Sequence, residues 1–153
     1  MNLLNNKASG RHGDLSIVDG LVQLSFLVQA ILGRIGAEHD LSVIQIRLLG
    51  ILRDREPTML QLARHLGLDK SSVTGLVDRA ERRGLVERTA TPNDRRGFNV
   101  RMTDAGRQLV QTAGAEIERQ ILDAAAGITP AERTQFTALA AKILGNPFQQ
   151  NQG

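Results

Sequence analysis

Residues 59–79 carry the pattern that most constrains the fold, because apolar and small residues recur there at the spacing of two short helices joined by a tight turn. The apolar positions that can form the core of this unit are Leu62, Leu66, Leu68, Val73 and Leu76. Ala63 is small enough to let the two helices cross closely, and Gly67 can adopt the positive φ angle that ends the first helix. We therefore predict a helix–turn–helix unit.

Capping signals set the limits of the predicted helices around this unit. Two capping boxes, each a Ser or Thr followed three residues later by Gln, occur at Ser42 with Gln45 and at Thr58 with Gln61. They predict helices that begin near residues 43 and 59, and we expect the first to run to about residue 54 and to be stopped by Pro57. Asp69 is a favourable N-cap for the second helix of the unit, which we expect to run to Gly84.

One face of this second helix is typical of a surface that reads DNA. The 3.6-residue period turns a polar and basic set outward: Lys70, Ser71, Ser72, Thr74, Gly75, Asp78, Arg79 and Arg82. The small N-terminal half can enter a major groove, and Arg79 can reach a guanine or a phosphate. A merely solvated face would favour helix formers, whereas Gly75 costs about 1 kcal/mol relative to Ala. We therefore favour groove recognition over a solvated surface.

After Gly84 the apolar period changes to two, which predicts a β-hairpin formed by residues 85–90 and 98–102. The connecting residues 91–97 are rich in turn formers and include Asp94, Arg95 and Arg96. Two guanidinium groups on a narrow turn can enter a minor groove or straddle a phosphate ridge, and we expect Asp94 to orient one of them. Taken alone, such a tip is equally typical of a solvated turn.

Residues 15–37 carry apolar side chains at helical spacing on more than one face. A helix that is apolar on two faces must bury both. In a chain of 153 residues we therefore expect a buried helix whose second face meets another subunit. Thr103 predicts the start of a further helix over about residues 104–125, and a capping box at Thr129 with Glu132 begins a last one that ends near residue 144.

Positive charge is concentrated in the predicted DNA-reading part of the chain. Residues 53–107 hold 12 Arg or Lys and 8 Asp or Glu, a net charge of +4, whereas the other residues sum to −1. Arg outnumbers Lys by 16 to 3, and the planar guanidinium suits bidentate contact with guanine and phosphate.

Composition argues against several other classes. The absence of Cys excludes disulfides, thiolate metal sites and a switch based on the chain's own thiol. His12, His39 and His65 are scattered, so we expect no metal and no cofactor, although His65 can touch a phosphate. Without a phosphate-binding Gly loop or a recognisable nucleophile set, the chain is not expected to be an enzyme.

Hydropathy favours a soluble protein over a membrane protein. The longest uncharged stretch, residues 20–33, is 14 residues long, shorter than the roughly 20 apolar residues that a membrane span needs. Residues 1–14 lack the apolar centre of a secretory signal. We therefore expect a cytoplasmic location and no membrane partner.

The order of these elements and the hairpin sequence resemble the MarR-type winged-helix regulators over about residues 15–144. The most specific matches are Leu-Val-Asp-Arg at residues 76–79, Arg-Gly-Leu-Val at residues 83–86, and the Asp-x-Arg motif that begins at residue 94 and leads into Thr-x-x-Gly at residues 103–106. The resemblance implies a mainly α fold with a small β-hairpin wing, and an obligate dimer joined by its N- and C-terminal helices.

This resemblance also implies a domain organisation. Residues 14–144 then form a single MarR-like domain between a flexible N-terminus at 1–13 and a C-terminal tail at 145–153. Within that domain, residues of about 15–37 and 104–144 supply the dimerisation helices, and about 43–103 form the winged helix.

Site residues follow from the resemblance as well. It implies that Ser71, Ser72, Thr74 and Arg79 face the major groove, and that Arg96, held by Asp94, enters the minor groove. The full candidate DNA-binding set is Lys70, Ser71, Ser72, Thr74, Gly75, Arg79, Arg82, Asp94, Arg95 and Arg96. Gly75 departs from the family, in which a larger or basic residue is common at this position.

The function expected is a dimeric, sequence-specific transcriptional repressor on a pseudopalindromic double-stranded DNA operator, located in the cytoplasm and on the nucleoid when bound. Family members commonly release DNA when a small aromatic or phenolic compound binds, and Arg47 is a weak candidate for binding its carboxylate. An ion pair within the subunit or a solvated helix face is the alternative for Arg47. The alternative function is a winged helix used for protein interaction or as a non-specific architectural DNA binder.

Overall fold

The computed structural model describes residues 15–145, which form six helices and one antiparallel β-hairpin. The elements are α1 (Ile17–Glu38), α2 (Val43–Leu52), α3 (Met59–Leu66), α4 (Lys70–Arg82), β1 (Val86–Thr91), β2 (Asp94–Met102), α5 (Asp104–Ala124) and α6 (Pro130–Leu144). The predicted mainly α fold with a hairpin wing is confirmed. The N-terminus predicted to be flexible, at 1–13, and residues 146–153 of the predicted tail lie outside the described residues.

The predicted helix starts are formed by the predicted caps. Three capping boxes have both of their hydrogen bonds, at Ser42 with Gln45, Thr58 with Gln61, and Thr129 with Glu132. Asp69 caps α4 and Thr103 caps α5 through their side chains. Gly67 ends α3 in the left-handed region at φ 63°, as its position in the turn requires. Local side-chain signals therefore account for the helix–turn–helix boundaries.

The role predicted for Pro57 is wrong. α2 ends at Leu52, well before Pro57, so the proline does not stop this helix. Instead the Pro57 carbonyl accepts a hydrogen bond from the Val100 backbone N–H at 2.9 Å, and Thr58 forms an isolated β-bridge with Asn99. These contacts attach the segment before α3 to the wing. Proline has no backbone N–H, so Pro57 takes part only as a hydrogen-bond acceptor.

The second strand of the hairpin begins earlier than predicted, at Asp94 instead of residue 98. Ala90 pairs with Phe98 whereas Thr91 pairs with Asp94, so residues 95–97 bulge from the ladder. Asn93 has a positive φ of 66°, a conformation that Asn tolerates in turns. A Cβ at residue 97 would lie 2.9 Å from Thr91 Oγ1, which explains the glycine there.

The main core lies between the helix–turn–helix unit, α2 and the hairpin. Its most completely buried side chains are Leu48, Leu52, Leu62, Val73, Leu76, Val77, Val86 and Val100. A second and smaller cluster joins α1 to α5 through Ile31, Ile35 and Ala113. The winged helix therefore has its own core, and the long helices meet it mainly through α2 and the start of α5.

α1 buries only Ile31, Ile35 and Gly36, and its predicted second contact, with another subunit, stays a prediction. Only 17% of its most apolar 18-residue window is buried. By length and composition alone α1 could cross a membrane, but the core helices of soluble proteins and signal sequences meet the same criterion. Its exposed large apolar side chains are Ile17, Val18, Leu21, Leu24, Phe26 and Leu27. α6 has no buried residue and exposes Phe136, Leu139, Ile143 and Leu144. Among residues 15–145, nothing covers these apolar surfaces of α1 and α6.

Candidate nucleic-acid interface

The N-terminus of α4 is fixed by Asp69. Its carboxylate accepts from the Ser72 backbone N–H at 2.7 Å and from the Ser71 hydroxyl at 2.9 Å. The backbone hydrogen bond from Ser72, with help from the Ser71 hydroxyl, lowers the pKa of Asp69 below its usual value. A charged cap in contact with the first turn also favours the helix dipole, so α4 begins at a defined residue.

The residues predicted to read DNA all lie at least partly at the surface of α4 and the wing. Lys70, Ser71, Ser72, Arg79 and Arg82 are exposed, as are Asp94, Arg95 and Arg96, whereas Thr74 and Gly75 are half-buried. The structure brings Lys70 and Thr74 together with Asp94 and Arg96 along one groove between α3, α4 and the wing. Ser71, Ser72, Arg79 and Arg82 do not line this groove.

The hydroxyl hydrogens of two predicted base-contacting residues are engaged within the helix. Ser71 donates to Asp69, and Thr74 Oγ1 donates to the Lys70 carbonyl at 2.8 Å. Both side chains can still accept a hydrogen bond, and Thr74 also carries a methyl group. Their contribution to base reading would therefore come from acceptance and apolar contact with a thymine methyl, as side chains of this kind make in major grooves.

Arg88 of β1 connects the wing to α4. Its guanidinium contacts Asp78 at 2.5 Å and Glu81 at 3.1 Å, two carboxylates on successive turns of α4. Partial burial acts to lower the pKa of Arg88, but the hydrogen bond from Arg88 to Asp78 and the charges of both carboxylates outweigh it and raise that pKa. This bridge fixes the position of the wing relative to α4.

Several cationic side chains have no such partner. Within residues 15–145, no side-chain hydrogen bond or ion pair is made by Lys70, Arg79, Arg82, Arg95 or Arg96. By contrast, Arg101 on the same wing pairs with Glu87. All five belong to the predicted DNA-binding set, so this face carries positive charge that no side chain of residues 15–145 pairs with.

Asp94 acts differently from the sequence prediction. Its carboxylate accepts from the backbone N–H of Arg96 at 3.0 Å, and no ion pair joins it to the guanidinium of Arg95 or Arg96 in the described part of the chain. A side chain that accepts from the backbone two residues later is an Asx-type turn. Asp94 therefore shapes the bulge from which Arg96 projects and does not orient a guanidinium.

Asn99 is a positioning residue that the sequence pattern missed. Its amide donates to the Glu56 carbonyl at 2.7 Å and accepts from the Thr91 hydroxyl at 2.7 Å. These bonds tie β2 to β1 and to the segment before α3. In the sequence Asn99 is one of several polar residues that alternate with apolar ones, and nothing in that alternation distinguishes it.

Arg47 does not face a ligand cleft. Its guanidinium donates to the carbonyls of His65 at 2.8 Å and Leu66 at 3.4 Å, so Arg47 caps the C-terminus of α3. Burial, followed by the positive charges of Arg55 and Arg47, lowers the pKa of His65. The neutral imidazole is thereby favoured, which weakens the predicted role of His65 as a phosphate contact.

A separate cleft of about 590 Å³ lies between α1, α2 and α5. Its lining is mainly apolar, with Leu32, Leu41, Ile46, Leu49, Leu109 and Ile117 among the residues that form it. Arg53 and Glu118 are the charged residues that line it. A mainly apolar cleft with a guanidinium suits a small molecule that combines an apolar body with an anionic group.

Comparison with known proteins identifies relatives of the winged helix and of the whole fold. A family model described as the MarR family matches residues 39–97. The HTH-type transcriptional regulator PecS of Dickeya dadantii (strain 3937) is 26% identical over 131 residues, which cover 83% of this chain and 79% of PecS.

Solved structures agree with the family match. CouR from Rhodococcus jostii RHA1, bound to p-coumaroyl-CoA, is 28% identical with a TM-score of 0.73, over 84% of this chain and 91% of that one. A crystal structure of MarR shares the fold at a TM-score of 0.75 and 22% identity, over 89% and 93% of the two chains. In the sequence of residues 39–97 and in the fold of its described residues, the chain is similar to the MarR family and to transcriptional regulators such as PecS.

Proposed function

We propose that the chain is a dimeric, sequence-specific DNA-binding repressor. The observation that carries this proposal is the set of unpaired cations on α4 and the wing tip, held at a fixed spacing by the bridge from Arg88 to Asp78 and Glu81. Positive charge that is unpaired within the protein favours phosphate binding, because it releases counterions from DNA. We further propose a cytoplasmic location and no catalytic activity, because the chain is similar to a family of transcriptional regulators.

In the proposed complex α4 lies in a major groove and the wing lies over the adjacent minor groove. Ser71, Ser72 and Arg79 contact base edges or phosphates, and Lys70, Thr74, Gly75 and Arg82 complete the surface of α4. Arg96 enters the minor groove with Arg95 beside it. The Asp94 hydrogen bond to the Arg96 backbone supports this role, because it fixes the main chain from which the side chain projects.

A dimer is supported by the uncovered apolar faces of α1 and α6. Phe26 is 65% exposed and Leu139 is 58% exposed, and exposed apolar surface of this extent is typical of an interface. A second copy related by a twofold axis can cover both faces and would present two α4 helices to DNA. Half-sites about one helical turn apart, in a pseudopalindrome, follow from that symmetry.

The cleft between α1, α2 and α5 is proposed to bind a small aromatic effector. Arg53, and not Arg47, is the proposed anion-binding residue, because Arg53 lines the cleft and can pair with a carboxylate or phenolate. The similarity to CouR, whose structure contains p-coumaroyl-CoA, supports an effector that carries an aromatic group. Such a ligand releases DNA only if it prefers a spacing of the two α4 helices that does not fit the operator.

DNA binding is tested by titrating the full-length protein with a selected duplex and a scrambled duplex at several salt concentrations. We expect tighter binding to the selected duplex and a steep loss of affinity as salt rises. Equal affinity for both duplexes would instead indicate a non-specific architectural binder. No binding at moderate salt would favour a protein-interaction module.

The dimer is tested by sedimentation of the Leu139→Glu variant. A buried carboxylate in an apolar interface is costly, so we expect this variant to be a monomer at micromolar concentration. Leu60→Glu is the matched control, because Leu60 is 61% exposed on α3 and should leave the dimer intact. A monomeric wild-type protein would contradict the proposed interface.

The effector site is tested with a panel of aromatic acids, by measuring release of a bound duplex. An active compound should lose most of its effect in Arg53→Met and keep it in Arg133→Met, because Arg133 does not line the cleft. If the compound released the duplex from Arg53→Met as well as from the wild type, the effector would bind elsewhere.

A further inference from the structure

Gly75 occupies the middle of α4 without a backbone reason for glycine. Its φ angle is not in the left-handed region, and a Cβ built there meets no backbone atom within 4 Å outside α4 itself. At Gly36 and Gly106, by contrast, a backbone carbonyl of another segment occupies the Cβ position. Because a glycine within a helix is unfavourable relative to alanine, Gly75 needs a different explanation.

The atom that approaches Gly75 belongs to Arg79. Nη1 of Arg79 lies 3.3 Å from the position that a Cβ of residue 75 would occupy. Side chains in a helix lean towards its N-terminus, so a side chain four residues later reaches the preceding turn. The guanidinium of Arg79 therefore lies over the space that Gly75 leaves open.

No acceptor in the described chain holds Arg79 in this position. Its side chain makes no hydrogen bond or ion pair within residues 15–145. The neighbouring carboxylate of Asp78 contacts Arg88 on the wing side of α4. The N–H donors of Arg79 are therefore available on the outer face of α4, in the space that a larger side chain at residue 75 would occupy.

We propose that Gly75 and Arg79 form a single base-reading unit whose target is a guanine. The missing side chain at residue 75 lets the Arg79 guanidinium lie close to α4 and present two donors to the O6 and N7 atoms of guanine. This inference rests on the proposed DNA-binding function and deepens it by naming the base. The glycine, which carries no contact group, then determines specificity through the position of Arg79.

Selection of duplexes from a randomised library tests the proposal with the full-length protein, Arg79→Lys, Gly75→Ala and a control, Gly50→Ala. Gly50 is an exposed helical glycine with open space around its Cβ position. We expect the wild type to select a guanine in each half-site, by roughly 5- to 150-fold over other bases. Arg79→Lys, which keeps the charge but loses the planar fork, should lose this preference at that position alone.

Gly75→Ala should weaken the same preference, because a Cβ 3.3 Å from Nη1 of Arg79 requires the guanidinium to shift by a few tenths of an ångström from the position proposed for the bidentate contact. Its melting temperature should not fall, since Ala is the better helix former. Gly50→Ala should select the wild-type motif. The inference is overturned if Gly75→Ala keeps the full guanine preference, or if Arg79→Lys selects the same base. A wild type that selects no motif overturns the proposed function together with this inference.

Discussion

Arg83, the C-cap of α4, donates to two carbonyls of the turn that follows α1: Nη2 lies 3.1 Å from the His39 oxygen, and Nη1 lies 2.5 Å from the Asp40 oxygen. Asp40 has a positive φ of 54°, so the turn between α1 and α2 is held in a conformation that is unfavourable for a residue other than glycine. The next residue, Leu41, lines the cleft. One side chain therefore connects the candidate DNA-reading helix to the turn beside the proposed effector site.

Arg83→Ala should lower the free energy of unfolding by about 1–2 kcal/mol, because two carbonyls lose a charged donor and the strained turn loses its support. Urea denaturation measures the change. Arg82→Ala is the matched control, since the neighbouring Arg82 side chain makes no hydrogen bond or ion pair in residues 15–145, and its effect should stay within about 0.5 kcal/mol. Equal losses for the two variants would mean that the contacts of Arg83 with the turn after α1 contribute nothing to stability.

Arg96→Ala should weaken DNA binding and reduce the slope of log affinity against log salt by about one unit, as expected for loss of one phosphate contact. Arg101→Ala, on the same strand, should change the slope less, because Arg101 already pairs with Glu87 and neutralises less phosphate charge. Fluorescence anisotropy at several salt concentrations measures both variants. A slope that is unchanged in Arg96→Ala would show that the wing tip stays away from the phosphates.

The parts of the fold that could be predicted are those that depend on contacts between residues close together in the sequence. Ser42 and Gln45 contact each other three residues apart, and Gly67 ends its helix through its own backbone angle. The partners of Arg47 and Arg83 could not be predicted in this way, because they lie 18 and 44 residues away in sequence. A single arginine on a helix surface looks the same in sequence whether it caps another helix, pairs with a carboxylate or stays in solvent.

The exposure of α1 has a related explanation. Hydrophobic periodicity predicts that a face needs to be covered, but it does not say which surface covers it. Ile31 and Ile35 pack against Ala113 of α5, whereas none of the described residues covers the face that includes Leu21 and Leu24. The apolar pattern therefore predicts two faces that need to be covered, and the contact of the second face with another subunit stays a prediction.

The Asp69 cap should make the stability of α4 depend on pH. Because the pKa of Asp69 is lowered in the folded protein, its stabilising contribution is complete above the ordinary aspartate pKa of about 3.9 and is lost as pH falls through the lower folded value. Asp69→Asn keeps a capping side chain but no charge. The stability difference between wild type and this variant, measured by urea denaturation, should shrink as the solution is acidified. A difference that stays constant from neutral pH to pH values of about 3 would contradict the role of the charge.

Two glycines of α5 should respond oppositely to the same substitution. At Gly106 a Cβ would overlap the carbonyl of Leu85 and lie 2.7 Å from Met102 Cγ, whereas at Gly114 nothing lies within 4 Å. The Leu85 carbonyl also accepts from the Thr103 backbone N–H at 3.0 Å, so it cannot move without breaking the junction between hairpin and α5. Gly106→Ala should therefore lower the free energy of unfolding by about 1–3 kcal/mol, the usual cost of overpacking.

Gly114→Ala should raise the free energy of unfolding by up to about 1 kcal/mol, because alanine restricts the unfolded chain and favours the helix. Urea denaturation of both variants at one protein concentration provides the comparison. Since α5 packs on both α1 and the hairpin, Gly106→Ala should also change how the wing is held relative to α1, and DNA affinity should fall with stability. If the Gly106→Ala protein were as stable as the Gly114→Ala protein, the start of α5 would not pack against Leu85. The long helices would then contact the winged helix through α2 alone.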